Sequence, residues 1–258
     1  MANPESKFVW YELMTTDAPA AEAFYRNVVG WGAQDAGMAD RPYTLLNVGE
    51  TMVGGMTPLP QEVRAAGARP GWIGYIGVDD VDAFAERVKH AGGAIQRGPD
   101  DIPGIGRFAV VADPQGAAFV LFQGAPGMQP PPPVAPGTPG HTGWHELSAR
   151  AWESAFTFYS GLFGWTKAEA VDMGEMGVYQ TFAVGGLPIG GMMTRSETGP
   201  GPGWRYYFNV EDIDAAAARV TEGDGQVQSG PHQVPGGSWI IHGLDPQGAV
   251  FALVGPRR

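Results

Sequence analysis

The sequence predicts an α+β protein made by tandem duplication, each copy reading β-α-β-β-β twice. Three observations support this: an internal repeat, amphipathic helical stripes set between short apolar runs, and a proline-rich break between the copies. The repeat is the strongest of them, since self-similarity at a fixed offset marks a duplicated unit. Phe8-Val9-Trp10-Tyr11-Glu12-Leu13 returns as Thr142-Gly143-Trp144-His145-Glu146-Leu147, and Phe24-Tyr25 and Gly30-Trp31 return as Phe158-Tyr159 and Gly164-Trp165. Gly54-Gly55-Met56, Pro70-Gly71-Trp72 and Asp113-Pro114-Gln115-Gly116 recur as Gly190-Gly191-Met192, Pro202-Gly203-Trp204 and Asp245-Pro246-Gln247-Gly248. All these offsets fall between 132 and 136 residues, so the copies differ only by small loop insertions.

Each element has a local reason. Phe8 to Met14 is a short apolar and aromatic run that suits a strand. Thr16 or Asp17 caps a helix with Pro19 in its first turn, and Ala21, Phe24, Tyr25 and Val28 form one apolar stripe that ends at Gly30. Trp31 to Ala36, Tyr43 to Val48 and Thr51 to Met56 follow as three strands. Trp72 to Val78 opens the second half, and Asp79 or Asp80 caps a helix with the stripe Val81, Phe84, Ala85 and Val88. Phe108 to Ala112 and Ala117 to Phe122 make a hairpin around Asp-Pro-Gln-Gly, with Pro at the second turn position. The second copy repeats this order, with Ala215 to Val220 in its second helix. We expect domains at 1–124 and 141–258. Residues 125–140 join them, and the consecutive prolines Pro130 to Pro133 favour a polyproline II spacer. A docking motif is the other reading of that segment; a linker accounts for it without one.

Composition narrows the function. The 258 residues include 40 Gly, 23 Pro and no Cys, with 16 basic against 27 acidic side chains for a net charge of −11. That balance opposes nucleic acid and anionic membrane as partners. Without cysteine there are no disulfides, thiolate catalysis or Cys-bound metals. No run approaches the 18 apolar residues of a membrane span. The opening MANPESKFVW shows no leader pattern, and we expect a cytoplasmic protein that is a monomer, as a pseudo-dimer of domains, or a homodimer. Neither a nucleophile elbow nor a P-loop is present.

The series Trp10…Phe24-Tyr25…Gly30-Trp31, the helix start Val78-Asp79-Asp80-Val81-Asp82 and the Asp-Pro-x-Gly hairpin resemble the vicinal-oxygen-chelate superfamily. That superfamily holds glyoxalases, bleomycin-resistance proteins and extradiol dioxygenases. The resemblance covers both copies and implies paired βαβββ modules whose curved antiparallel sheets enclose a cavity. It also implies three metal-ligand positions per copy, which fall here on Trp10, Ile73 and Val120, and on Trp144, Arg205 and Ala252. None of these side chains ligates Mn, Fe, Ni or Zn, so we expect no metal and no cofactor. His141, His145, Glu146, His232 and His242 in the second copy are the remaining candidates for an improvised metal site.

Strand periodicity places Trp10, Glu12 and Met14 on one face, and Trp144, Glu146 and Ser148 on its equivalent. If those faces line cavities, Glu12 and Glu146 are candidate acid–base groups; a structural hydrogen-bonding role is the alternative, and their duplication favours it. Trp10, Met14, Trp72, Trp144, Trp204 and Arg205 are the candidate ligand-binding residues, because indole faces and thioethers suit flat aromatic compounds. The expected function is metal-free binding of a hydrophobic or aromatic small molecule, for sequestration or carriage. A cofactor-independent or partner-assisted enzyme using Glu12 or Glu146 is the alternative, followed by a metal-dependent lyase or dioxygenase.

Overall fold

The computed structural model describes residues 6–38, 41–65, 67–128, 133–196 and 201–258. Most of the expected polyproline run, Pro130 to Pro132, lies outside them. The first copy runs β1 (Phe8–Thr15), α1 (Ala18–Val29), β2 (Gly32–Asp35), β3 (Thr44–Val48) and β4 (Thr51–Pro58), then the short α2 (Gln61–Ala65). Its second half is β5 (Gly71–Gly77), α3 (Val81–His90), β6 (Ala94–Ile102), β7 (Gly106–Ala112) and β8 (Ala118–Gly124). The second copy repeats the pattern with β9 (Thr142–Ala149), α4 (Trp152–Phe163), β10 (Thr166–Asp172), β11 (Val178–Val184) and β12 (Leu187–Thr194). It closes with β13 (Gly203–Asn209), α5 (Ile213–Glu222), β14 (Gln226–Gln233), β15 (Trp239–Leu244) and β16 (Val250–Gly255). No described helix is long and apolar enough to cross a membrane.

Of the two candidates expected at each cap, Asp17 and Asp80 are the residues used, accepting the backbone N–H three residues on at 3.0 and 2.9 Å, and Asp212 does the same in the second copy at 2.8 Å. Gly30 and Gly164 close their helices in the left-handed region, at φ 87° and 72°. The sheets differ from expectation. They are mixed rather than antiparallel, because β1 runs parallel to β4, β5 to β8, β9 to β12 and β13 to β16. A helix plus a two-hairpin meander separates the strands of each such pair, a connection long enough to bring them back side by side in the same direction.

The chain forms two compact units that do not follow the repeat boundary. One comprises residues 1–9, 73–130 and 144–204; the other comprises 10–72, 131–143 and 205–258. Each therefore takes half of each copy. The chain forms two eight-stranded sheets, β2-β3-β4-β1-β5-β8-β7-β6 and β10-β11-β12-β9-β13-β16-β15-β14, and each unit takes one four-strand half of each: β5-β8-β7-β6 and β10-β11-β12-β9 in the first, β2-β3-β4-β1 and β13-β16-β15-β14 in the second.

The repeated motifs explain this exchange, since they complete one another across copies. In the second unit Trp72 Nε1 donates to Tyr25 Oη at 2.8 Å, and Tyr25 Oη donates to Asp245 Oδ2 at 3.2 Å. Oδ1 of Asp245 meanwhile accepts the N–H groups of Gln247 and Ala249, fixing the Asp-Pro-Gln-Gly turn. The first unit repeats the chain as Trp204 to Tyr159 at 3.0 Å and Tyr159 to Asp113 at 3.2 Å. Both tyrosines are at most 1% exposed, so each hydroxyl needs these partners. Around them pack Phe24, Trp31, Phe208 and Phe251 in the second unit, and Phe119, Phe163, Trp165 and Phe182 in the first.

Helix α4 shows how one copy compensates for a loss in the other. Ala151 stands at its N-cap, where the first copy has Asp17, and supplies no side-chain acceptor. Gln115, from the other copy, reaches over instead. Its Oε1 accepts from the backbone of Arg150 and Ala151, and its Nε2 donates to Ala151 O at 2.8 Å and Ser154 Oγ at 3.0 Å.

Candidate functional site

The alternation read from β1 places Trp10, Glu12 and Met14 on one face, and its neighbours Tyr11 and Leu13 on the other. Tyr11 meets Tyr206 edge-on at 5.2 Å, and Leu13 is fully buried. Glu12 is only 8% exposed and is tied to Trp10 through a residue from β3's approach. Trp10 Nε1 donates to Tyr43 Oη at 3.0 Å, and the Tyr43 hydroxyl hydrogen-bonds the Glu12 carboxylate. Burial and the Glu12 charge push the Tyr43 pKa up, so the phenol keeps its proton and donates it to Glu12. The Arg41 guanidinium lies 5.6 Å from the Tyr43 ring centre.

Gly55 makes this geometry possible. It pairs with Glu12 in the β1·β4 ladder, and a Cβ there would overlap the Tyr43 ring and hydroxyl. The phenol thus crosses the sheet where the side chain is missing. The second copy, in the other unit, builds the same arrangement: Trp144 Nε1 donates to Tyr179 Oη at 2.7 Å, Gly191 pairs with Glu146, and a Cβ at Gly191 would overlap the Tyr179 ring. Glu146 is 7% exposed. Sequence reasoning found the tryptophans, the carboxylates and the Gly-Gly-Met repeat but missed Tyr43 and Tyr179. Their signal was available, because the two tyrosines share the 136-residue offset of that glycine motif.

Other candidates are placed differently. Trp72 and Trp204 belong to the aromatic cores: their indole N–H groups go to Tyr25 and Tyr159, and they pack edge-on against Phe208 and Phe8 respectively. Both rings therefore take part in the aromatic packing of their units and are partly exposed. Strand alternation gives side parity but not what covers a side. Ile73, Val120 and Ala252 are at most 8% exposed and carry no donor atom. Arg205 is half-buried on β13.

The histidines do not converge. His145 stacks on Phe8 with ring centres 4.3 Å apart and holds Ile189 O at 2.6 Å. His242 Nε2 lies 2.8 Å from Tyr207 Oη, and His232 Nε2 3.0 Å from Ser229 Oγ. Burial lowers the pKa of both His145 and His242 to about 4, keeping the rings neutral; for His242 the Arg205 charge adds to the effect. Among the described residues no three His, Asp or Glu side chains are grouped so as to hold a metal ion. The residues at the implied ligand positions, indole, alkyl and guanidinium, do not fit a transition metal either.

Comparison with known proteins agrees with this architecture. The family model described as Glyoxalase/Bleomycin resistance protein/Dioxygenase superfamily matches residues 7–121 and again 139–253. The glyoxylase-named protein CFP32 of Mycobacterium tuberculosis is 32% identical over 249 residues, covering 96% of this chain and 94% of its own. The anthracycline biosynthesis protein DnrV of Streptomyces peucetius is 33% identical over 260 residues, covering 95% and 91%. Among solved structures, the Mn(II)-bound glyoxalase from Novosphingobium aromaticivorans superposes with a TM-score of 0.65 at 17% identity, covering all of this chain and 83% of the other. That last likeness concerns the fold alone. With each half matched by the same model, the chain belongs to the glyoxalase/bleomycin resistance protein/dioxygenase superfamily as a tandem two-domain member.

Proposed function

We propose that this protein binds a planar, hydrophobic aromatic small molecule without a metal, for sequestration or carriage. The observation that carries the reading is the Trp10–Tyr43–Glu12 chain. It fixes an indole ring, with Met14 beside it, at the position where the superfamily pattern implies a metal ligand. An indole whose N–H is already satisfied offers its ring face rather than a polar edge, and such a face suits stacking. The duplicate at Trp144 and Tyr179 offers a second such face. The relative named for anthracycline biosynthesis makes a fused-ring aromatic the first ligand to try.

A planar polycyclic compound should quench native tryptophan fluorescence with saturation. Trp10→Phe or Trp144→Phe should weaken that binding several-fold while melting within a few degrees of wild type. A broad aromatic panel without saturable quenching would sink the proposal. So would two variants that lose stability with unchanged affinity. Elemental analysis of the dialysed protein tests the metal-free part, where about one Fe, Ni, Mn or Zn per chain would contradict it. The enzymatic alternative, with Glu12 or Glu146 as acid or base, requires the ligand to leave chemically altered and Glu12→Gln or Glu146→Gln to stop that change while sparing binding.

A further inference from the structure

The two copies share their hydrogen-bonded aromatic chains but differ sharply along one row of residues. In the second unit, β13, β16, β15 and β14 lie side by side, and their registers align Tyr207 with Ala252, Ala252 with His242, and His242 with Ser229. Residues directly opposite in a ladder share a face. Ala252 is the smallest of the four, and across it Tyr207 Oη and His242 Nε2 meet at 2.8 Å. Arg205, two residues before Tyr207, stands on the same side of β13.

The first copy has the same row, in the other unit: Tyr75 with Val120, Val120 with Val110, and Val110 with Arg97. Valine replaces both His242 and Ala252, and Ile73 replaces Arg205. Its one charge, Arg97, is engaged with Asp100 at 3.2 Å and lies over Phe108. A tyrosine is thus common to both rows, whereas the guanidinium and imidazole belong only to the second. Nothing in the fold requires them, since the same strands form with Ile and Val in their place.

We propose that Arg205, Tyr207 and His242 form a recognition site for the anionic oxygen, carboxylate or phenolate, of a small molecule, present once per chain. Arginine offers five N–H donors, enough to serve an incoming anion alongside any contact within the protein. The charged groups acting on His242 are Arg205 and His232, both of them basic. An arriving anion therefore meets a guanidinium and a neutral imidazole hydrogen-bonded to a phenol. These residues lie in the same compact unit as Trp10 and are different side chains from its stacking face, so their variants test the anion site separately from the stacking proposal.

The test uses the full chain, with benzoate against the neutral benzamide, and 4-nitrophenolate against nitrobenzene. Titrations followed by calorimetry and by NMR of the His242 ring protons, assigned by their loss in His242→Gln, read binding directly. We expect one anion per chain, with each anion preferred over its neutral counterpart by about tenfold or more, the worth of a hydrogen bond to a charged group. The arm that binds tighter tells carboxylate from phenolate. The His242 pKa should rise on binding, and Arg205→Met should lower anion affinity by about tenfold while leaving neutral-compound affinity unchanged. If Arg205→Met does not fold, Arg205→Lys and the wild-type NMR titration give the answer. Undisturbed His242 signals at millimolar anion, equal binding of charged and neutral probes, or two equivalent sites per chain would each overturn the proposal.

Discussion

His145 permits a quantitative test of how burial tunes this fold. Its ring is 7% exposed, stacked on Phe8, and bonded to a backbone carbonyl, and its pKa falls from 6.5 to about 4. The folded protein thus holds fewer protons than the unfolded chain between those values, and stability must fall as pH drops through that window. At about 1.36 kcal/mol per unit, the full effect is on the order of 3 kcal/mol, of which about 2 kcal/mol is lost between pH 7 and pH 5. His145→Phe keeps the stacked ring but cannot be protonated. It removes one N–H···O bond, a pH-independent cost of about 1–3 kcal/mol. Urea unfolding of both proteins at pH 7 and pH 5 should therefore show the variant less stable at neutral pH and the gap closing by about 2 kcal/mol on acidification. The comparison must be between proteins, because Asp113 and Asp245 have pKa values raised by burial and slope the other way: the folded state holds their protons more tightly, so stability falls as pH rises above the unfolded carboxylate pKa. A wild-type-to-variant gap that stays constant across the two pH values would refute the assignment of this acid sensitivity to His145.

Three further outcomes follow from the geometry. Tyr25→Phe strips the partner from both Trp72 Nε1 and Asp245 Oδ2, and differential scanning calorimetry should show a loss of about 1–3 kcal/mol, matched by Tyr159→Phe in the other unit. Gln115→Ala uncaps α4 and should cost about 1 kcal/mol, whereas Gln247→Ala should cost little because α1 carries its own Asp17 cap; equal costs measured by denaturant unfolding would contradict the borrowed cap. Gly55→Ala should displace Tyr43 and break its bond to Trp10, so the tryptophan emission should shift and any saturable quenching should weaken, while Gly71→Ala, with no atom near the added carbon, should leave both unchanged.

Much of this structure is written locally. The helices were legible because Ala21, Phe24, Tyr25 and Val28 recur at helical spacing behind a capping Asp, and β1 because its face alternates. The strands β6 and β14 were not: AIQRGPDDI and QVQSGPHQ are polar, interrupted by Pro99 and Pro231, and contain no buried residue, so neither apolar alternation nor burial marks them. The exchange of halves between copies was hidden for a different reason. Two copies with the same Tyr and the same Asp-Pro-Gln-Gly turn give Tyr25 a choice of Asp113 or Asp245, and the motif itself does not discriminate. Tyr43 was missed because its contact with Glu12 passes over Gly55, a path set by three strands together rather than by spacing along one.

A duplicated chain also supplies its own control, which bears on how the carboxylates should be read. Features that both copies keep include the Trp–Tyr–Asp chains, which hold strands in place within each compact unit, and the tryptophan–tyrosine pairs over Gly55 and Gly191, which fix the indoles that the binding proposal uses. Glu12 and Glu146 belong to this shared set, and in the first copy the carboxylate accepts from Tyr43, a partner that orients an indole. Their duplication is therefore what a supporting role predicts. Where the copies part, the difference must either be compensated or serve something other than folding. Ala151 for Asp17 is compensated, by Gln115. Arg205 for Ile73 and His242 for Val110 replace buried or half-buried apolar side chains with polar ones that cost more to desolvate. They are the polar groups that the proposed anion site uses, so variants at Arg205 and His242 separate ligand binding from folding better than variants at the buried glutamates do.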